Sequence, residues 1–462
     1  KKVVAKSKEC LQKDIWSINS IISNIFAYTE FKDLVKLNTV CKRWNNVANP
    51  IIYRSIKLQR RRAFQNKDHE KNLVKSAKTG AEAELCISNN AKHAPFIKDF
   101  KFSEYLKPQT AIKFFETFRF ISNLTIERVS MSQDQFISMI IPLSQLQELN
   151  LRSIGIKKIV AKKYITEPAV LPQSLKKLSL EHIDLYKNPE LFIQTINSHM
   201  NLIEFKYNYY KTVEFLDPFL KNYPTLKSFE FNNAQLDDTQ SLIKVFQFNP
   251  QLTCLKSGPS NFNNNLISNI NHHLTNLEEF SFKEIYVHNR DASTVVSKFS
   301  QFTNIKKLSL SNDKLSECTI NSILLNCPDL EELNLRSESI YRASISNISF
   351  KFPTTIKLKK LTINCDYYTK SSFDTILPMF SHLKELNIKL PIEWKDCIQY
   401  IARKCTKLEY LTILPPKTAY GQEMDRLNQE LHQNIFLNSN SVYKSTLKHL
   451  TLNGLNIYES NG

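Results

Sequence analysis

The sequence predicts an α/β solenoid, a stack of short strand–helix units, over most of the chain. A six-residue pattern of large apolar residues, Leu-x-x-Leu-x-Leu, recurs fourteen times between Ile97 and Leu452. Successive copies lie 24 to 29 residues apart as far as the copy at Leu408. Repeats of this period indicate units that stack side by side and share one continuous core.

Within each unit the apolar spacing changes from helix-like to strand-like. Ile320 and Ile323 lie three residues apart, as on one face of a helix, and Pro328 ends that helix. The pattern from Leu330 to Leu335 then places alternate residues on one face of a strand. We therefore expect a horseshoe with parallel strands along its concave face and helices along its convex face.

Two copies of the pattern depart from the average. The copy at Leu252 ends in Ser257-Gly258-Pro259, which predicts an irregular or bulged strand. The last interval is longer and contains Pro415-Pro416, which predicts an insertion. The chain of 462 residues then divides as follows: a basic, flexible lead-in over 1–13, a small all-α block over 14–58, a helical connector over 59–96, and the solenoid over 97–462 with its insertion at about 415–446.

The composition of the chain limits the classes of partner and the cellular compartments that we expect for it. The net charge is +18, but residues 1–62 hold 14 Lys and Arg against 4 Asp and Glu, so the repeats are nearly balanced and nucleic acid is an unlikely partner. No apolar run reaches the roughly 18 residues that span a bilayer. The nine cysteines are dispersed, which favours reduced thiols in the cytoplasm or nucleus.

The sequence offers little for catalysis. The six glycines are too far apart to form a phosphate-binding loop. His272-His273 and the other histidines lack partners at metal-ligand spacing, and no serine lies in a nucleophile-elbow context. We expect no metal, no cofactor and no enzymatic activity.

The block 14–58 predicts three short helices. Ile21, Ile22, Ile25 and Phe26 form one apolar stripe, and a second runs from Leu34 to Val47 at spacings of three and four. Pro50 fits the first turn of a third helix. About 45 residues cannot bury all of this apolar surface alone, so part of it is expected to contact a partner.

The order of residues in this block resembles the F-box. Four elements carry the resemblance: Ile25-Phe26-Ala27-Tyr28, Asp33-Leu34, Val40-Cys41-Lys42-Arg43-Trp44, and Pro50-Ile51-Ile52-Tyr53-Arg54. The usual opening Leu-Pro of that family is Ile18-Asn19 here. The repeats, best seen from Leu315 to Leu335, resemble the cysteine-containing, ribonuclease-inhibitor-like branch of leucine-rich repeats.

The two resemblances together imply a non-catalytic substrate receptor of a cullin–RING ubiquitin ligase of the SKP–cullin–F-box type. In such receptors the F-box docks a small SKP-family adaptor, and through it a cullin, while the repeats hold a protein substrate. The residues predicted to bind the adaptor are Ile18, Ile22, Ile25, Phe26, Leu34, Leu37, Val40 and Trp44.

The substrate is expected on the concave face, because side chains alternate along a strand. Cations predominate in the slots between and after the inward leucines, which favours an acidic or phosphorylated protein segment. The residues predicted to bind substrate are Arg152, Lys206, Tyr209, Tyr210, Lys256, Lys283, Arg336 and Lys389.

Two other readings of the sequence stay open. The chain could be an interaction scaffold whose F-box is a relic, which the Ile18-Asn19 departure supports. It could also be a basic solenoid that binds nucleic acid. Adaptor binding separates the first from the receptor, and a steep salt dependence of nucleic-acid binding would favour the second.

Overall fold

The structure is a computed structural model, and it divides into two compact units, residues 1–201 and 202–462. The residues it describes are 19–58, 71–103, 106–158, 167–209, 222–233, 240–258, 264–282, 298–299, 303–311, 315–337, 349–353, 356–365, 370–391, 394–416, 421–433 and 445–452.

The first unit opens with three helices, α1 (Asn19–Ala27), α2 (Phe31–Leu37) and α3 (Lys42–Ile52). The expectation of one helix through the second stripe was wrong, because Cys41 is extended (φ −158°, ψ 163°) and its Sγ accepts the Trp44 N–H at 3.4 Å, capping α3. The expectation of a new helix at Pro50 was also wrong. Pro50 lies in the last turn of α3.

The first unit continues with the following elements: β1 (Ser55–Leu58), α4 (Lys71–Asn90), a 3-10 helix (Ala91–Phe96), β2 (Asp99–Phe102), α5 (Pro108–Thr117), β3 (Asn123–Glu127), β4 (Ser130–Ser132), α6 (Gln133–Ile140), β5 (Glu148–Arg152), β6 (Gly155–Lys157), β7 (Lys177–Glu181), β8 (Asp184–Tyr186) and α7 (Glu190–Ser198).

Strands β1, β2, β3, β5 and β7 form a parallel sheet in that order. Ser55 is in register with Asp99, so the sheet begins directly after α3, before the first copy of the repeat pattern. The inward residues of neighbouring strands, such as Leu124, Leu149 and Leu178, are in register and at most 2% exposed. Their alignment builds the continuous core that the pattern predicted.

A second, small parallel sheet of β4, β6 and β8 follows the main strands of this unit. Each short strand is reached through a residue with positive φ: Arg128 (55°), Ser153 (52°) and His182 (53°). The sequence did not predict this sheet. Turns with positive φ are usually recognised in a sequence by a glycine, and none of these three residues is glycine.

Gly155, in β6, allows the short strands to approach closely. A Cβ atom there would lie 2.8 Å from Ser130 Oγ and 2.9 Å from Tyr186 Cε2. We expect Gly155→Ala to lower the free energy of unfolding by about 1 to 3 kcal/mol, since the neighbours must shift. Urea unfolding of the chain, followed by hydrogen exchange in β4, β6 and β8, measures the effect.

Gly80 provides the matched control, because a Cβ atom built there meets nothing within 4 Å. It lies inside α4, where alanine favours the helix over glycine by roughly 0.5 to 1 kcal/mol. The two Gly→Ala changes should therefore act in opposite directions. Equal stability of Gly155→Ala and the unmodified chain would contradict the close packing.

The second unit contains these elements: β9 (Glu204–Tyr209), β10 (Ser228–Asn233), α8 (Gln240–Phe248), β11 (Cys254–Ser257), α9 (Asn264–His273), β12 (Glu279–Phe282), β13 (Lys307–Ser311), α10 (Glu317–Leu325), β14 (Glu332–Ser337), β15 (Lys360–Cys365), α11 (Lys370–Ile376), a 3-10 helix (Leu377–His382), β16 (Glu385–Lys389), α12 (Trp394–Lys404), β17 (Tyr410–Leu414), α13 (Gln422–Leu431) and β18 (His449–Leu452).

Strands β9 to β18 lie side by side in chain order and are parallel. At the start of a strand two consecutive N–H groups donate to one carbonyl of the preceding repeat. Lys306 and Lys307, for example, both donate to Glu278 O, at 2.8 and 3.0 Å. This shared acceptor fixes the register, so Leu333 lies between Leu308 and Leu361 in the core.

Helices pack behind these strands where the spacing predicted them. Ile320 and Ile323 lie on α10 and are buried, and Ser316 Oγ caps this helix by accepting the Thr319 N–H at 3.1 Å. In the predicted insertion, α13 is tied to α12 by an ion pair between Glu430 and Lys395 at 3.0 Å.

The irregular strand expected after Leu252 is not found. Residues Cys254 to Ser257 form the regular strand β11, in register with β10 and β12. The small Ser257 side chain takes the place of an inward leucine and is fully buried. A serine at this position is therefore compatible with the ladder, because the strand is held by its backbone.

Candidate partner-binding surfaces

The core of the three-helix block takes up part of the surface that was predicted for an adaptor. Ile22, Phe26 and Leu34 are 0%, 1% and 2% exposed and pack with Ala48. The Phe26 ring meets Trp44 edge-on at 5.4 Å. The structure therefore corrects the role of these three residues: they hold the helices together and offer a partner no surface.

Other apolar side chains of the block, on α1 and α2 and in the turns that follow them, remain exposed. Tyr28 and Phe31 are 93% and 64% exposed, Val40 is 61% exposed, and Ile25 and Val35 are each 42% exposed. Phe31 and Val35 are four residues apart on α2 and share one of its faces. We name these five residues the apolar helix patch.

The remaining predicted adaptor residues are distributed differently. Leu37 and Trp44 are partly buried against the core of the block, so only part of each side chain is available. Ile18 lies outside the described residues. Tyr28, Phe31 and Val35 are exposed but were not among the predicted adaptor residues, although Tyr28 belongs to the motif in the sequence and the spacing of Phe31 and Val35 was visible.

The block is attached directly to the first strands of its unit. The rings of Tyr53 and His93 stack at 3.6 Å with an angle of 8°. Arg54 Nε donates to Asp99 Oδ2 at 3.0 Å, and Arg54 O accepts two backbone N–H groups at the start of β2. Within the block, Arg43 Nε donates to Asn19 Oδ1 at 2.8 Å, which ties α1 to α3.

In each unit, a second candidate surface is formed by the outward-facing residues of that unit's parallel strands. We name these residues the strand face of the unit. Alternation along each strand produces it, as in β5, where Leu149 and Leu151 are buried and Asn150 and Arg152 are not. The predicted substrate residues Arg152, Lys206, Lys256, Arg336 and Lys389 occupy such outward positions. Lys283, Tyr210 and the side chain of Tyr209 lie outside the described residues.

Several cations of the strand face are neutralised by acids on neighbouring strands. Arg152 lies between Glu127 and Glu181, with contacts of 3.4 and 2.8 Å, and the hydrogen bond to Glu181 raises the pKa of Arg152 above its ordinary value. Lys206 pairs with Glu230 at 3.2 Å. These pairs correct the expectation of a face dominated by positive charge.

The same compensation extends through β11 and β12, where Lys256 pairs with Glu279 at 3.0 Å. Arg336, in β14, is different. Its Nε donates to Asn334 Oδ1 at 3.2 Å, and it has no ion pair among the described residues. Lys389 lies two strands further along, on β16.

In the second unit, a ladder of ion pairs runs along the edge of the sheet at which the strands begin. We name this the leading edge. Lysines and glutamates alternate there from repeat to repeat, so each lysine reaches an acid on an adjacent repeat. The pairs are Lys306–Glu278 (2.8 Å), Lys307–Glu332 (2.8 Å), Lys359–Glu331 (2.6 Å), Lys360–Glu385 (2.7 Å), Lys384–Glu409 (3.6 Å) and Lys448–Glu409 (2.7 Å). The charges on this edge are already matched within the chain.

Within the described segments, no group of three or more His, Cys, Asp or Glu side chains is arranged to hold a metal ion. Across the same segments, every helix is too short or too polar to span a bilayer.

Comparison with known proteins finds a family model that matches the helical block, and solved structures that the chain resembles. A family model described as F-box-like matches residues 19–59. The chain is similar to one in the crystal structure of the Rad7 and Elc1 complex in yeast (13% identity, 94% of this chain and 96% of that chain, TM-score 0.34). It is also similar to one in the structure of a TLR13–ssRNA13 complex (12% identity, 71% and 52%, TM-score 0.29). No curated protein matches it.

The family match covers α1, α2, α3 and β1, and the repeats that follow have the strand–helix alternation and the parallel register that the leucine pattern predicted. The chain therefore carries a domain that matches the F-box-like family model, followed by parallel strands that alternate with helices in a leucine-rich-repeat-like arrangement.

Proposed function

We propose that the chain is a non-catalytic substrate receptor of a SKP–cullin–F-box-type ubiquitin ligase. The F-box-like domain docks an SKP-family adaptor, and through it a cullin, while the repeats bind a protein substrate. The observation that carries the proposal is the apolar helix patch, which lies on the domain that the F-box-like family model matches.

The energetics of the patch favour a protein partner. Exposed groups of large apolar side chains mark interaction sites, and burying each one contributes roughly 1.5 to 3 kcal/mol before the costs of association. Tyr28 and Phe31 supply aromatic side chains, and tyrosine in particular is enriched at binding hot spots. The domain keeps its own core in Ile22, Phe26 and Leu34, so the patch is available for a second protein.

In this proposal the chain performs no chemistry and acts by holding the adaptor and the substrate close to each other. A receptor that holds adaptor and substrate together raises the effective concentration of substrate lysines near the ligase. The Tyr53–His93 stack and the Arg54–Asp99 ion pair anchor the F-box-like domain to the first strands of its unit, which supports a fixed presentation of those strands.

The test is binding of a purified SKP-type adaptor to the full chain. We expect the double change Val35→Arg and Val40→Arg to weaken binding by at least about tenfold, because two charges enter an interface that buries apolar groups. Both residues are more than 40% exposed, so the domain should stay folded. The matched control is Ile141→Arg, which changes an apolar residue of similar exposure (57%) outside the domain.

The result contradicts the proposal if the unmodified chain shows no adaptor binding at micromolar concentrations. The chain would then be a repeat scaffold with a relic F-box. Adaptor binding that Val35→Arg and Val40→Arg leave unchanged would reject the patch as the docking surface.

A further inference from the structure

We propose that the loops leading into β2, β3, β5 and β7 of the first unit bind an acidic, extended segment of a partner protein. We name them the entry loops, and their described residues are 97–98, 118–122, 141–147 and 167–176. The proposal deepens the proposed function, on which it rests for the identity of the partner as the substrate. It places substrate binding on a surface that the sequence did not single out.

The first argument is the charge of the entry loops. They carry three cations, Lys98, Arg119 and Lys176, and a single acid, Glu167. Among the described residues, none of the three cations forms an ion pair. On the leading edge of the second unit, by contrast, each lysine of the ladder reaches a glutamate of an adjacent repeat. An acidic ligand can therefore engage the entry loops without displacing an internal acid.

The second argument is that the contacts of two of these cations are with neutral groups. Lys98 Nζ donates to Phe120 O and to Gln145 Oε1, both at 3.4 Å. The same Nζ lies 5.6 Å from the centroid of the Phe120 ring, and the Arg119 guanidinium lies 5.3 Å from it. One aromatic ring thus holds two cations near each other. A carboxylate that approaches them gains charge-assisted hydrogen bonds, which are stronger than those with neutral acceptors.

The third argument is a pair of exposed aliphatic side chains on two of the loops. Ile141 and Val170 are 57% and 76% exposed, and each lies five residues before the first leucine of its copy of the repeat pattern. Ser174 Oγ donates to Ser144 O at 3.1 Å, which ties the two loops together. Two aliphatic side chains at the same repeat position on adjoining loops offer a contact for one apolar side chain of a ligand.

This combination favours a protein segment over a nucleic acid. Single-stranded nucleic acids bind through a track of cations and through aromatic rings on which the bases stack. Phe120 is the one partly exposed ring in the described part of the entry loops, and it already contacts two cations. The exposed apolar side chains are aliphatic, and a leucine-like side chain of a protein is their natural complement.

The spacing of the cations sets the spacing of the acids in the ligand. Lys98, Ser122, Gln147 and Lys176 occupy one position in successive repeats, because the N–H of each donates to the carbonyl of the one before, at 2.8, 2.7 and 2.8 Å. Lys98 and Lys176 are thus three strand spacings apart, roughly 14 Å between backbones. An extended segment advances about 3.3 Å per residue, so two acids four residues apart reach both lysines. The residue midway between the acids points to the same side and meets the aliphatic pair.

The experiment measures how strongly the full chain retains four nonapeptide libraries. The third and seventh residues are both glutamate or both glutamine, the fifth is leucine or serine, and the other positions are degenerate but uncharged. We expect the library with glutamate and leucine to be retained about tenfold more than the one with glutamine and leucine. In about 0.5 M salt the preference for glutamate should be mostly lost, because exposed charges are screened, while the preference for leucine should persist.

Two variants separate the two parts of the site. Lys98→Gln, Arg119→Gln and Lys176→Gln together should remove the preference for glutamate and keep that for leucine. Ile141→Ser with Val170→Ser should do the reverse. Glutamine keeps a hydrogen-bond donor at each cation position, and both aliphatic residues are more than half exposed, so the first unit should stay folded in both variants.

The matched control for charge changes Lys306, Lys359 and Lys448 to glutamine. It removes three positive charges just before strands of the second unit, where each lysine is paired with a glutamate. The control for the aliphatic pair is Leu325→Ser, which changes a residue of the second unit that is 40% exposed. Both controls should keep both preferences.

Adaptor binding of every variant, measured separately, tests the proposed function and should not change. If the peptide preferences hold while the adaptor does not bind, the entry-loop site stands and the receptor function fails. Equal retention of the four libraries, or the same loss in the controls, would falsify the entry-loop site. Tighter binding of a single-stranded RNA oligonucleotide or of anionic lipid vesicles, lost in the variant without the three cations, would overturn the assignment to a protein segment.

Discussion

Replacing Phe26 with alanine is expected to unfold the F-box-like domain and to abolish adaptor binding with it. The side chain is 1% exposed and lies between Ile22, Leu34 and the edge of the Trp44 ring. A buried Phe→Ala change costs about 3 to 5 kcal/mol. A domain of roughly 40 residues has a free energy of unfolding of only a few kcal/mol, so little or none would remain.

Hydrogen exchange of α1, α2 and α3 in the full chain measures this effect directly. Ile25→Ala is the matched control, because Ile25 is the neighbouring residue but is 42% exposed, and its truncation should change stability by less than about 0.5 kcal/mol. If the protection of the three helices were the same in Phe26→Ala as in the control, the assigned core would be wrong. Phe26→Ala tests loss of the fold, with Ile25→Ala as its control, and the double change Val35→Arg with Val40→Arg tests loss of the binding surface. Compared with one another, these variants separate the two effects.

The apolar stripes of the F-box-like domain show which structural features sequence periodicity can predict and which it cannot. Periodicity identified three helices and a surplus of apolar surface, and both are found. It could not distinguish Ile22 and Phe26, which face the core, from Ile25, which faces solvent, because the direction of each side chain depends on how the helices pack. The break at Cys41 was hidden for a related reason, since its cap is a contact with Trp44 N.

The strand face shows a different limit. The Leu-x-x-Leu-x-Leu pattern fixes which residues of one strand face outward, so the outward positions of Arg152 and Lys206 could be predicted. Their partners could not, because Glu127 and Glu230 lie on other strands, and only the pairing register brings them within reach. The positive charge of the face was therefore overestimated, while the outward positions of these side chains were predicted correctly.

The first unit also contains structure that the repeat pattern does not encode. Strand β1 was missed because it carries no copy of the pattern and is recruited to the sheet by pairing with β2. The short strands β4, β6 and β8 were missed because three residues are too few for a periodic signal. Gly155 was the one hint in the sequence, and its role depends on Ser130 and Tyr186, which are distant in the chain.

Leu333→Ala is expected to lower the free energy of unfolding by about 2 to 5 kcal/mol, because Leu333 is 1% exposed and fills the core between Leu308 and Leu361. In a stack of repeats each unit contacts mainly its neighbours, so the damage should stay local. Hydrogen exchange should show lost protection in β13, β14 and β15 and nearly unchanged protection in β9 and β10.

The control is Asn334→Ala, the next residue on the same strand, which faces outward and should shift stability by no more than about 0.5 kcal/mol. The two variants share one backbone environment and differ only in the face that they present, so their difference isolates the core contribution of a single leucine. Uniform loss of protection from β9 to β18 in Leu333→Ala would mean that the second unit unfolds as one cooperative body. The local picture of repeat stability, in which each leucine stabilises mainly its own repeat and the two beside it, would then be wrong.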